Sequence, residues 1–148
     1  MNISRQLYED MILDHNRAPR NFMRIPQDPV CNAHGFNPIC GDNFNIYLKI
    51  ENNIIKDASF NGAGCAISTA SASLMTEAVK GMSVDDAREL FSDMHKMLTT
   101  GEELGETYFK LKILGGVRKY PMRIKCATLA WHTMNAALNN IKETVTTE

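Results

Sequence analysis

The sequence predicts an α+β fold: a β-hairpin set among several helices. Two patterns carry this prediction. Phe44, Ile46, Leu48 and Ile50 alternate with Asn43, Asn45, Tyr47 and Lys49, the period of a half-buried strand. Elsewhere apolar residues recur at helical spacing, and the helices cluster rather than alternate with strands, which argues against βαβ units. With 148 residues the chain has the length of one domain and can bury a core without disulfides. Residues 1–143 read as that domain, and the short polar stretch 144–148 reads as a mobile tail.

Each element has a local reason. Leu7, Met11 and Ile12 fall on one face of a first helix, with Ser4 as its cap. That helix should stop before Pro19, because the residue preceding a proline avoids helical geometry. From Pro26 to Gly41 the chain reads as loop, with room for a hidden strand. Glu51-Asn52-Asn53 forms a turn, and Ile54 to Phe60 returns as the second arm of a hairpin. Asn61-Gly62-Ala63-Gly64 breaks the strand, and a helix of small residues runs from Cys65 to about Lys80, ended by Gly81. Ser83 caps the next helix, with Asp86 three residues on and an apolar stripe of Val84, Ala87, Leu90, Phe91, Met94 and Leu98. Gly101 to Tyr120 gives no clear period. After Pro121 a long last helix is expected through Ile141.

Sixteen Lys and Arg against 17 Asp and Glu leave a net charge of −1, which argues against a generic nucleic-acid binder. No apolar run reaches the roughly 20 residues of a membrane span, and the first residues are too polar for a signal peptide. The expected location is therefore cytoplasmic, with no membrane and no nucleic acid among the partners. In that compartment the four cysteines are expected as reduced thiols, metal ligands or reactive groups rather than disulfides.

Cys40 opens Cys40-Gly41-Asp42 just before the first clear strand. Cys65 follows a glycine-rich turn where a helix begins, and Cys126 lies early in the last helix. Helix N-termini favour anions and lower thiol pKa values, so both helical cysteines are expected as ready thiolates. Gly41 gives the Cys40–Asp42 pair a flexible corner, Gly64 allows close backbone approach, and Arg123 and Lys125 add positive charge before Cys126. Three thiolates and a carboxylate suit Zn2+ or an iron–sulfur cluster, with Asp42, the hard oxygen donor, as the exchange ligand. No C-x-x-C pair is present, so spacing alone leaves two readings open: one shared metal site, or cysteines scattered through the core. Cys31 reads as a spare thiol. His34 is a weak ligand candidate, and His15, His95 and His132 read as packing or surface residues.

Several segments together carry a resemblance to a known family. They are Leu7-Tyr8, Asp14-His15, Pro19-Arg20-Asn21, Asn37-Pro38-Ile39-Cys40-Gly41-Asp42, Gly62-Ala63-Gly64-Cys65-Ala66-Ile67-Ser68, Ala70-Ser71-Ala72-Ser73 and Arg123-Ile124-Lys125-Cys126-Ala127-Thr128-Leu129-Ala130-Trp131. The chain resembles the U-type iron–sulfur cluster scaffold family, which includes SufU, IscU and the N-terminal domain of NifU. The likeness spans roughly residues 5–140 and implies a small antiparallel sheet of about three strands packed with several helices. Lys125 stands where IscU-like chains carry histidine. Tyr120-Pro121-Met122-Arg123-Ile124 does not reproduce their chaperone-docking segment. The stretch from about Thr99 to Tyr120 looks like the extra segment of SufU-like chains.

The resemblance implies that Cys40, Asp42, Cys65 and Cys126 hold a metal or cluster, with Zn2+ as the resident ion and iron and a transient [2Fe–2S] cluster built on the same ligands. It implies a cysteine desulfurase of the SufS or IscS type as sulfur donor; Cys40 is expected as the acceptor because its loop is the most mobile of the ligand segments. Apo iron–sulfur proteins or downstream carriers would receive the product, and the chain would act as a monomer or weak homo-oligomer. On this reading it is a sulfur acceptor and scaffold rather than a stand-alone enzyme. The alternative is a zinc-stabilised interaction module that activates the desulfurase without carrying sulfur or cluster.

Overall fold

The structure, a computed structural model, describes residues 4–147. Five helices and four strands follow one another as α1 (Arg5–Arg17), β1 (Val30–Asn37), β2 (Asp42–Glu51), β3 (Ile54–Ala63), α2 (Ala66–Val79), α3 (Val84–Thr100), α4 (Phe109–Leu114), α5 (Pro121–Leu138) and β4 (Val145–Thr146). Short 3-10 segments at Glu106–Tyr108 and Gly115–Lys119 flank α4. The α+β expectation holds.

The sheet has the order β3-β2-β1-β4. The first three strands are antiparallel, as the resemblance implies, but β4 adds a fourth, parallel to β1 through Gly35↔Val145 and Phe36↔Thr146. Val145 packs partly against the core, and the Thr147 hydroxyl donates to the Lys125 carbonyl at 3.2 Å. Within the stretch read as a free tail, residues 145–147 are therefore paired. A two-residue strand has no period for a sequence to display. Glu148 lies outside the described residues.

The alternation in β2 turns Phe44, Ile46 and Leu48 fully inward. The same period of two carries Asp42 to that inner face, where it is fully buried. The hidden strand is β1. Its inward positions are Ala33, Gly35 and Asn37, too small or polar to register as a strand pattern. Gly35 lets α5 come close to β1: a Cβ there would lie 2.1 Å from Thr133 Oγ1.

Helices cover the inner face. The small-residue helix α2 packs against α5 closely enough for Ser71 Oγ to donate to the Ala127 carbonyl at 2.6 Å. Helix α5 buries Leu129, Trp131 and Met134 and ends at Leu138. Ile141, expected inside it, lies beyond the end and is 41% exposed. On α1 the inward face is Tyr8, Met11, Ile12 and His15, whereas Leu7, expected inside, is substantially exposed. The residues at 8, 11, 12 and 15 follow the helical spacing from one residue later than the apolar count suggested. Ser4 caps this helix, its Oγ accepting from Leu7 N–H at 3.0 Å.

His15 is buried, with Nδ1 2.7 Å from Ser73 Oγ, and Ser73 Oγ also accepts the Arg20 N–H at 2.8 Å. Asn21 donates to Thr76 Oγ1 at 3.2 Å. The Asp14-His15 and Pro19-Arg20-Asn21 segments thus latch α1 and its exit loop onto α2. Burial holds the His15 pKa below its ordinary value, and Arg20 adds to the effect.

Candidate metal centre

The centre forms where three chain segments meet. The first is the hairpin between β1 and β2. Asn37 and Asp42 are its last strand pair, so Pro38, Ile39, Cys40 and Gly41 make the loop. Asn37 Oδ1 accepts the Ile39 N–H at 3.2 Å, and the Asn37 carbonyl accepts the Gly41 N–H at 2.8 Å. These bonds fold the loop tightly, and Gly41 takes the left-handed backbone (φ 73°) that closes it. Cys40 is left exposed at the tip. Asp42, two residues on, is buried.

The second segment enters α2. Cys65 is the N-cap of that helix, its Sγ accepting the Ser68 N–H at 3.4 Å. Its own N–H donates to Asp42 Oδ1 at 2.8 Å. Gly64 makes this approach possible: a Cβ would lie 2.5 Å from Ser68 Oγ and 2.8 Å from Asp42 Oδ1. The third segment is the second turn of α5, where Cys126 is buried with its Sγ 3.2 Å from Cys40 Sγ.

The ligand atoms of Cys40, Asp42 and Cys126 all lie within 4.8 Å of one another. Cys65 stands outside that trio, its sulfur engaged as the helix cap. It nonetheless lines the same cleft of about 550 Å3 with Cys40, Cys126, Tyr8, Ile12 and Met122. Tetrahedral coordination at about 2.0–2.3 Å places neighbouring donors roughly 3.3–3.8 Å apart. The sulfur–sulfur distance is close to that size, and two thiols beside a carboxylate fit a thiophilic divalent cation or an iron–sulfur cluster.

One electrostatic expectation is reversed. The Cys126 thiol pKa is pushed far up, first by burial, then by the hydrogen bond with Cys40, with Cys65 and the Asp42 carboxylate adding to it. Cys126 lies past the first turn of α5, where the helix dipole has faded. Burial beside anionic neighbours therefore dominates, and a bound cation is the counter-charge that would make the thiolate favourable.

Of the two cations expected near Cys126, Arg123 lines the same cleft as the thiols. The Arg123 guanidinium lies 4.3 Å from the Tyr120 ring centroid on the rim of the cleft. Lys125 is half-buried, and its carbonyl accepts the Thr128 and Thr147 hydroxyls. The donors that meet the ligands are neutral N–H groups from Cys65, Ser68 and Asn37. Sequence reasoning gave Asn37 and Ser68 no role, because both act through contacts that exist only once β1, β2 and α2 are folded.

Cys31 lies on β1 opposite Leu48, apart from the trio. His34 is also apart, its ring nitrogens meeting Thr144 Oγ1 and Asn43 Oδ1. His95 and His132 face each other between α3 and α5, ring centroids 5.3 Å apart.

The fold and these motifs have known relatives. The family described as NifU-like N terminal domain matches residues 7–148. The chain is 41% identical over 133 residues to the zinc-dependent sulfurtransferase SufU of Bacillus subtilis, covering 86% of each chain. It is 37% identical over 140 residues to the iron–sulfur cluster assembly scaffold protein IscU of Thermotoga maritima, covering 94% of this chain and 97% of that one. A crystal structure of a putative iron–sulfur cluster assembly scaffold protein for the SUF system from Fervidobacterium islandicum superposes with a TM-score of 0.81 at 31% identity, covering 91% of this chain and 98% of that one. With its α+β fold, its hairpin-borne Cys40 and Asp42 and its helical Cys65 and Cys126, the chain belongs to the NifU-like N-terminal domain family.

Proposed function

We propose that this chain is an iron–sulfur cluster assembly protein that accepts persulfide sulfur from a cysteine desulfurase and serves as the acceptor and scaffold for [2Fe–2S] assembly. The observation that carries the reading is the meeting of Cys40, Asp42 and Cys126, with Cys40 the exposed member. The names of the relatives, a zinc-dependent sulfurtransferase and cluster scaffolds, point the same way.

In this reading Cys40, Asp42, Cys65 and Cys126 hold Zn2+, or iron during assembly. Zinc would keep the thiols deprotonated and shield them from oxidation. The donor is a persulfide on a cysteine of the desulfurase. The Cys40 thiolate attacks its outer sulfur, the sulfur–sulfur bond breaks, and the desulfurase cysteine leaves as a thiolate. One sulfane sulfur moves and no external oxidant is needed. Cys40 suits this step because it sits on an exposed loop tip, whereas Cys126 is fixed inside the packed face of α5. Asp42, an oxygen donor among sulfurs, is the ligand that yields when the site opens. Leu13 and Met122, each about half exposed on the cleft, and the half-exposed Ile39 next to Cys40 in the loop give the desulfurase apolar surface to dock against.

A single-turnover assay with labelled persulfide on the desulfurase tests this. Parent protein acquires the label and Cys40→Ala does not. Labelling of Cys40→Ala at the parent rate would defeat the acceptor assignment and favour a zinc-stabilised module that only activates the desulfurase.

A further inference from the structure

Asn37 is fully buried, and its side chain works in two directions. Its oxygen accepts the Ile39 N–H and shapes the Cys40 loop. Its nitrogen lies 3.4 Å from Asp42 Oδ2 and 3.7 Å from Cys126 Sγ, groups on β2 and on α5. An amide nitrogen carries two hydrogens, so one amide can serve both acceptors at once. This one side chain joins the loop, the carboxylate and the buried thiol.

We propose that Asn37 is a positioning residue of the metal centre, orienting the Asp42 carboxylate and tempering the Cys126 sulfur through its side-chain amide. The proposal rests on reading Asp42 and Cys126 as ligands. Three thiolates and a carboxylate bring two more negative charges than a divalent ion cancels, and hydrogen-bond donors must absorb the excess. A lysine or arginine in this position would pair with Asp42 and compete with the metal for it. A neutral amide donates without taking the ligand away. Donation to a thiolate also withdraws electron density from sulfur, making it a weaker base and raising the energy needed to move an electron from sulfur to metal.

Asn37→Asp separates the two directions. It keeps the oxygen that accepts the Ile39 N–H, and it removes both N–H donors. The expected result is zinc affinity lower by about tenfold or more in a competition titration against a chromophoric chelator, the usual size of an outer-shell loss. In the Co2+-substituted protein the sulfur-to-metal charge-transfer band should shift to longer wavelength. An affinity within twofold of the parent and an unmoved band would overturn the proposal. Should the variant fail to fold, unmodified 15N-labelled protein loaded with 113Cd decides. Scalar coupling between cadmium and the Asn37 side-chain nitrogen supports the role, and its absence while the Ser68 N–H shows coupling overturns it. If the parent protein itself gives no sulfur-to-cobalt band, the metal-centre reading fails first, and that result is distinct from a failure of Asn37 alone.

Discussion

Cys40 and Cys126 lie 3.2 Å apart and occupy opposite environments. Cys40 sits on a four-residue hairpin loop, exposed, with Ile39 beside it 52% exposed. Cys126 is 3% exposed on a helix packed against β1, β2, α2 and α3. The contrast suggests a division of labour within one centre. The hairpin offers a sulfur that an incoming protein can reach, and α5 offers one held by the whole core.

The largest expected effect comes from Cys126→Ser. It places a hydroxyl where a buried sulfur lies against Ala127, Asn37 and the other ligands, so the metal-free protein should lose about 1–3 kcal/mol in urea unfolding. Zinc retention should collapse as well. Cys40→Ser should also weaken zinc binding, yet leave metal-free stability within about 0.5 kcal/mol, the usual range for an exposed site. If the two variants destabilise the metal-free protein equally, the division between reachable and anchored thiols is wrong.

A smaller effect would sharpen the comparison, because the anchored half carries two buried or partly buried histidines, His15 and His132. Burial lowers the folded-state pKa values of His15 and His132, with Arg20 helping at the first and His95 at the second. A depressed histidine favours the folded state while neutral. Its contribution is complete above the unfolded value near 6.5 and is lost as pH falls below it toward the folded value. Urea midpoints of the metal-free protein should therefore drop between pH 7 and pH 5, and His132→Gln should flatten part of that slope. A parent profile that stays level over this range would remove these histidines from the account of stability.

The parts of the molecule differed in how plainly the sequence announced them. The alternation in β2 was legible, and extending it by one step puts Asp42 on the buried face. The start of α2 at Cys65 was legible too, because a glycine-rich break precedes a run of small residues. The strand β1 was obscure because Ala33, Gly35 and Asn37 face the core where large apolar residues would have marked it. From Gly101 to Tyr120, Leu104 is buried on a loop and Leu111, Ile113, Leu114 and Val117 on short helical pieces of mixed pitch, so no single period emerges. The meeting of the thiols was beyond spacing arguments, since it depends on the hairpin, the start of α2 and the second turn of α5 arriving at one place. Resemblance supplied that expectation, and the fold brings three of the four residues into one cluster, with Cys65 capping its helix at the edge of the same cleft.

That fourth residue makes the deciding measurement clear. X-ray absorption at the zinc edge of the loaded protein reads the ligand atoms directly. Three sulfurs and one oxygen at tetrahedral distances are the expected shell, with the Cys65 sulfur completing it. A shell of two sulfurs, or one made of nitrogen and oxygen alone, would contradict a centre built from Cys40, Asp42, Cys65 and Cys126.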